Sequence, residues 1–144
     1  IVALLNFHGI ELPGKHVVVV GRGLTIGRPL ANLLSLKNPT ANAAVTVVHT
    51  GVTDIGSLVR EADVVVAAAG AAGLVTAEMV KPGAVVVGAG VTFVDGELWR
   101  ESVPSIAAAG FRCITPTCRS ARTSSRSLAT ASSRLARSRA RCAS

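Results

Sequence analysis

No stretch of this chain stays apolar long enough to cross a bilayer. Residues 64–75 and 83–94 come nearest, but both are short and broken by Gly70, Gly73, Gly88 and Gly90, whereas a spanning helix needs about 20 apolar residues. Cysteine is scarce as well. Cys113, Cys118 and Cys142 have no metal-ligand spacing and no companion histidines, so no metal site is expected and reduced thiols are the default state. The opening Ile1-Val2-Ala3-Leu4-Leu5 has neither the basic start nor the small-residue cleavage site of a secretory signal. These features point to a cytoplasmic chain, and Ile1 in place of Met points to a piece of something longer. No acid–base pair or nucleophile set stands out, so no catalytic residue is assigned. Asp54 opens a helical run and reads as its cap rather than as a catalyst.

Acidic residues are missing from one end. The formal charge is +7, and all of the excess comes from seven arginines in residues 118–144. Residues 1–117 are electrically balanced, with eight basic and eight acidic side chains. The last 27 residues use only Arg, Ser, Ala, Thr, Leu and Cys. Such a segment has too little apolar surface to pack, so a folded body at 1–117 and a disordered, Arg/Ser-rich tail at 118–144 are expected. The tail could grip phosphates non-specifically and with a steep salt dependence, but it has no aromatic residue to stack on bases. Nucleic acid is therefore the disfavoured partner.

The body contains the run Val17-Val18-Val19-Val20-Gly21-Arg22-Gly23-Leu24-Thr25-Ile26-Gly27-Arg28-Pro29. Four consecutive valines suit a strand buried on both faces, as in a parallel sheet covered by helices. Gly21 ends that strand. Gly23 and Gly27 let backbone approach a ligand and let the next helix sit close to the sheet, and a helix N-terminus attracts phosphate. The spacing Gly-x-Gly-x-x-x-Gly is one residue longer than the commonest dinucleotide fingerprint, so a ligand-free strand-to-helix turn remains open on this motif alone.

Strand and helix patterns alternate along the body. Strands are expected at Val17–Val20, Ala44–Val48, Val64–Ala68, Ala84–Val87 and Phe111–Ile114. Helical segments are expected at Ile1–Phe7, Gly27–Leu36 and Ile55–Glu61, with a helical turn at Val75–Val80. Val91–Leu98, centred on Asp95-Gly96, reads as a hairpin or long loop. This alternation implies right-handed crossovers in an α/β, Rossmann-like, doubly wound parallel sheet. Ligands bind such sheets outside the carboxyl ends of the strands. Here those ends are Gly21–Gly23, His49–Gly51, Ala69–Gly73 and Gly88–Val91, three of the four rich in glycine, which suits a flat, extended ligand lying close to main chain.

Several separated motifs stand in one order: Pro13-Gly14-Lys15, Gly21-Arg22-Gly23 with Ile26-Gly27-Arg28-Pro29, Ala44 to His49-Thr50, Ala62-Asp63, Lys81-Pro82-Gly83 before a valine strand, and Ile114-Thr115-Pro116. From Ile1 to about Pro116 the chain resembles the cofactor domain of the bifunctional methylenetetrahydrofolate dehydrogenase/cyclohydrolases. It departs from them at three places. The family's Gly-Arg-Ser is Gly21-Arg22-Gly23, its His-Ser is His49-Thr50, and its Asp-Val-Gly-Ile is Gly88-Ala89-Gly90-Val91, which loses a carboxylate.

The resemblance implies NADP as cofactor, and two enzyme activities in one-carbon folate metabolism, an oxidoreductase and a hydrolase. Local chemistry agrees on the cofactor. An NAD site places an acid about 20 residues past the glycine loop to hold the ribose 2′-hydroxyl, and the second strand ends instead in His49-Thr50. Arg22 offers a guanidinium fork for a 2′-phosphate, with a solvated loop arginine as the alternative. Thr50 either donates to that phosphate or caps a turn. His49 reads as a strand-end residue packed on the adenine side rather than a catalyst. By resemblance, Val91 touches the nicotinamide side through its backbone, and the cofactor-binding set is Gly21, Arg22, Gly23, Thr50 and Val91. The family's catalytic lysine and folate pocket belong to a preceding domain, so this chain is expected to be inactive alone, to meet folate only with that domain, and to be a homodimer in the full-length protein. After Pro116 the family pattern gives way to the arginine-serine tail, the kind of switch that a shifted reading frame in GC-rich DNA produces. The competing functions are the cofactor domain of another NAD(P)-dependent dehydrogenase, which leaves Ile114-Thr115-Pro116 unexplained, and non-specific nucleic-acid binding through the tail.

Overall fold

Five strands form one parallel sheet, and four of them are built where the sequence is rich in valine. The computed structural model describes residues 1–71, 73–94, 97–100 and 103–115. In chain order these form α1 (Val2–Phe7), β1 (His16–Val20), α2 (Gly27–Leu34), β2 (Ala44–Val48), α3 (Ile55–Glu61), β3 (Val64–Ala67), a 3-10 turn (Ala77–Met79), β4 (Val85–Gly88), β5 (Val91–Val94), β6 (Glu97–Arg100), α4 (Val103–Ala108) and β7 (Arg112–Ile114). The sheet order is β2-β1-β3-β4-β7, and every pair within it is parallel. The chain runs outward from β1 to β2 and then crosses back to β3 on the other side of β1. That reversal is the switch point of a doubly wound sheet, and it lies between β1 and β3.

The valine runs are buried on both faces because alternate residues serve opposite layers. Val18 and Val20 join Val65, Val86 and Val59 of α3 and Ile106 of α4 in one core. Val17 and Val19 join Val64, Val66, Val85 and Val87 with Leu5 of α1 and Leu30 and Leu34 of α2 in the other. This period-two alternation, with helices on each side, is why β1, β3 and β4 read as unbroken apolar runs.

Several boundaries differ from those the sequence suggests. Helix α2 stops at Leu34, where Ser35 caps it, rather than at Leu36, and the turn expected over 75–80 narrows to Ala77–Met79. Strands β5 and β6 pair antiparallel, with Val91 opposite Arg100 and Val94 opposite Glu97. Helix α4 has no counterpart in the sequence reading. The tail at 118–144 and the expected boundary at 117 lie outside the described residues.

One polar cluster ties the amino ends of the strands together. Asp63, at the foot of β3, accepts from the His16 backbone amide (2.9 Å) and from Lys81 Nζ (2.6 Å). His16 Nε2 meets the Thr46 hydroxyl at 2.9 Å. The Lys81 ammonium, and then the His16 amide, hold the Asp63 carboxyl below the usual carboxylate range. The feet of β1 and β3, the middle of β2 and the turn before β4 are thus joined on the side of the sheet away from the glycine loop.

Candidate functional site

The opposite, carboxyl end of the sheet is bare. Gly21 follows β1 at φ +125°, and its amide donates to Val48 O (2.7 Å). A Cβ there would lie 2.3 Å from Ala68 O, so the loop lies directly on the end of β3. Gly27, the first residue of α2, is pressed just as closely, since a Cβ on it would lie 2.2 Å from Gly21 O. The helix start is therefore seated on the loop, held also by the Arg28 amide donating to Gly23 O (3.1 Å), and no side chain caps it. Gly23 is different. A Cβ on it meets nothing within 4 Å, so this glycine faces open space.

That open space is a cleft of two adjoining hollows. The outer one, of about 250 Å³, is lined by Gly21, Arg22, Gly23, His49, Thr50, Ala68 and Ala69. The inner one, of about 320 Å³, runs from Gly23 and Gly27 past Ala68, Ala69 and Gly70 to Ala89 and Gly90. Gly23, Ala68 and Ala69 border both. The cleft thus crosses the ends of β1, β3 and β4 at the switch point.

The consecutive Gly21, Arg22 and Gly23 meet Thr50, distant in sequence, in the outer hollow. Arg22 is exposed and makes no ion pair among the described residues. His49 lines the same hollow, and its Nδ1 accepts from the Gly51 amide (3.1 Å). Val91 stands apart from this group. It opens β5 directly after Gly90, which borders the inner hollow. Asp54 caps α3, its Oδ1 accepting from Ser57 N (2.9 Å), and that bond lowers its carboxyl pKa. Thr25 and Ala68 line the cleft without any sequence signal of their own.

A long trough of glycine and alanine, with a helix N-terminus at its side and an arginine at its outer end, suits an extended anionic ligand. Among the described residues lining the outer hollow there is no carboxylate to repel a ribose phosphate. The donor set of Arg22, Thr50 and the His49 ring fits a phosphate there. The free space at Gly23 lets a phosphate bridge lie against main chain. Fold and cleft together define a doubly wound dinucleotide-binding domain.

Comparison with known proteins narrows that class. Residues 1–120 match the model of the tetrahydrofolate dehydrogenase/cyclohydrolase NAD(P)-binding domain, and the chain belongs to this family. Over 91 residues it is 55% identical to the bifunctional protein FolD of Syntrophotalea carbinolica, covering 63% of this chain and 31% of that protein. It is 59% identical over 91 residues to bifunctional protein FolD 1 of Salinispora tropica, covering 63% and 30%. The chain thus spans about a third of the length of these relatives. Among solved structures it is similar to the bifunctional FolD of Campylobacter jejuni, with a TM-score of 0.70 and 32% identity over 80% of this chain and 40% of that one. It is also similar to the Trypanosoma brucei methylenetetrahydrofolate dehydrogenase-cyclohydrolase, solved with NADP and an inhibitor, with a TM-score of 0.67 and 40% identity over 80% and 40%.

Proposed function

We propose that this chain is the NADP-binding domain of a cytoplasmic, homodimeric methylenetetrahydrofolate dehydrogenase/methenyltetrahydrofolate cyclohydrolase. The observation that carries the cofactor choice is the outer hollow, where Arg22, Thr50 and His49 converge without a carboxylate. Arg22 holds the 2′-phosphate through its guanidinium fork, and Thr50 adds a hydroxyl donor. Gly21 fixes the turn and Gly23 admits the phosphate bridge. The Val91 backbone, beyond Gly90, borders the nicotinamide. The Trypanosoma brucei relative, 40% identical, was solved with NADP, which supports the same ligand here.

Bound NADP supplies the ring that exchanges hydride with the folate carbon unit. The residues of this chain bind and orient it. Among the described residues none is placed to handle the folate, so catalysis requires the remainder of a protein of the relatives' length.

Calorimetric titration of the chain with NADP and with NAD tests the assignment. NADP is expected to bind more tightly. Arg22→Ala should weaken NADP by about 1.5–3 kcal/mol, the worth of a charge-assisted bond, and leave NAD unchanged. Equal wild-type affinities overturn the reading.

A further inference from the structure

The inner hollow is almost devoid of side-chain chemistry. Its lining is glycine and alanine, with Ile26 and Thr25 at the mouth of α2. Among the described residues of that lining, Thr25 is the one with a side-chain hydrogen-bonding group. It is exposed, stands two residues before the first residue of α2, and makes no hydrogen bond among the described residues. Arg22, His49 and Thr50 line only the outer hollow.

The half of a dinucleotide that enters the inner hollow therefore finds backbone groups and one hydroxyl. We infer that Thr25 is a positioning residue for the nicotinamide-nucleotide half of the cofactor, its hydroxyl supplying the one side-chain hydrogen bond available to that half. This rests on the NADP reading above. A hydroxyl suits the task because it both donates and accepts, so it can serve a phosphate oxygen, a ribose hydroxyl or the carboxamide. Among the described residues lining this hollow Thr25 is the only such group, so none of them compensates its loss.

The test compares NADP, which fills both hollows, with 2′,5′-ADP, which fills only the outer one. Thr25→Val keeps the shape and removes the hydroxyl, and Thr25→Ser keeps the hydroxyl and removes the methyl. Calorimetry should show Thr25→Val weakening NADP by on the order of fivefold, the scale of one net hydrogen bond, with 2′,5′-ADP unchanged. Thr25→Ser should bind both as the wild type does. Melting temperature should stay constant, because the side chain is exposed. A Thr25→Val protein that binds NADP as tightly as wild type, or that loses both ligands equally, overturns the role of Thr25. A wild-type chain that binds neither ligand overturns the NADP reading and this inference with it.

Discussion

Replacing Gly27 by alanine should be among the most damaging single-methyl changes in this domain, although helix propensity alone predicts the reverse. A Gly→Ala change at a compatible site stabilises by about 0.4–1 kcal/mol through the unfolded chain. At Gly27 the added Cβ lies 2.2 Å from Gly21 O and 2.8 Å from Gly21 C, and both are backbone atoms. Restoring an ordinary carbon–oxygen contact requires the loop and α2 to part by about 1 Å. Neither can rotate aside, because Gly21 is itself pressed against Ala68 and tied to Val48 O. Overpacking of this kind costs about 1–3 kcal/mol, and an all-backbone clash falls at the upper end. For a domain of this size that lowers Tm by on the order of 10 °C. The same displacement moves the helix amides relative to the cleft, so NADP affinity should fall by roughly tenfold or more. Gly23→Ala is the internal control. Its Cβ meets nothing within 4 Å, so Tm should not fall. Thermal denaturation and calorimetric NADP titration of both variants decide the matter, and a Gly27→Ala protein at least as stable as wild type refutes the packing argument.

The Asp63–Lys81 pair should govern acid stability without touching the cofactor. With its pKa depressed in the folded state, Asp63 contributes stability that is present above the unfolded value near 3.9 and is lost as pH falls through the folded value. Both side chains are about one-third exposed, 34% for Asp63 and 36% for Lys81, so the pair is worth about 1 kcal/mol after screening. Asp63→Asn should lower Tm by a few degrees at pH 7. That gap should narrow as the pH falls below the ordinary carboxylate range, with NADP affinity at pH 7 unchanged, and a gap that widens in acid contradicts the assignment. The purified chain should show no methylenetetrahydrofolate oxidation with NADP and no methenyltetrahydrofolate hydrolysis above background. Turnover in either assay means that a catalytic group lies within this chain.

The strands were legible because a doubly wound sheet buries both faces of its central strands, which turns Val17–Val20, Val64–Ala67 and Val85–Val87 into plain apolar runs. The glycine loop was legible for a related reason, since Gly21 and Gly27 occupy positions where any side chain collides with backbone. Helix α4 was not. It is six residues long, it buries Ile106, and no hydrophobic periodicity can build up over so short a span. The signal it did carry was punctuation, with Pro104 in its first turn and Gly110 at φ +89° just beyond its end. Asp63 and Lys81 are 18 residues apart with no local spacing rule to join them. Only the parallel pairing of β3 with β4 brings the foot of one to the turn before the other.

The two ends of the sheet divide the labour. At the amino end side chains fasten the strands: Asp63, Lys81, His16 and Thr46 bind one another and the backbone. At the carboxyl end side chains are withheld, and glycine and alanine leave a trough whose polar groups are mainly main-chain amides and carbonyls. A parallel sheet imposes this polarity because all its strands deliver their loops at the same end, so one end can be fastened for stability while the other stays open for a ligand. Sequence reading finds the open end through its glycines. The fastened end is assembled from residues that look ordinary until the strands are laid side by side, so a residue's share in stability is harder to read from sequence than its place in the cleft.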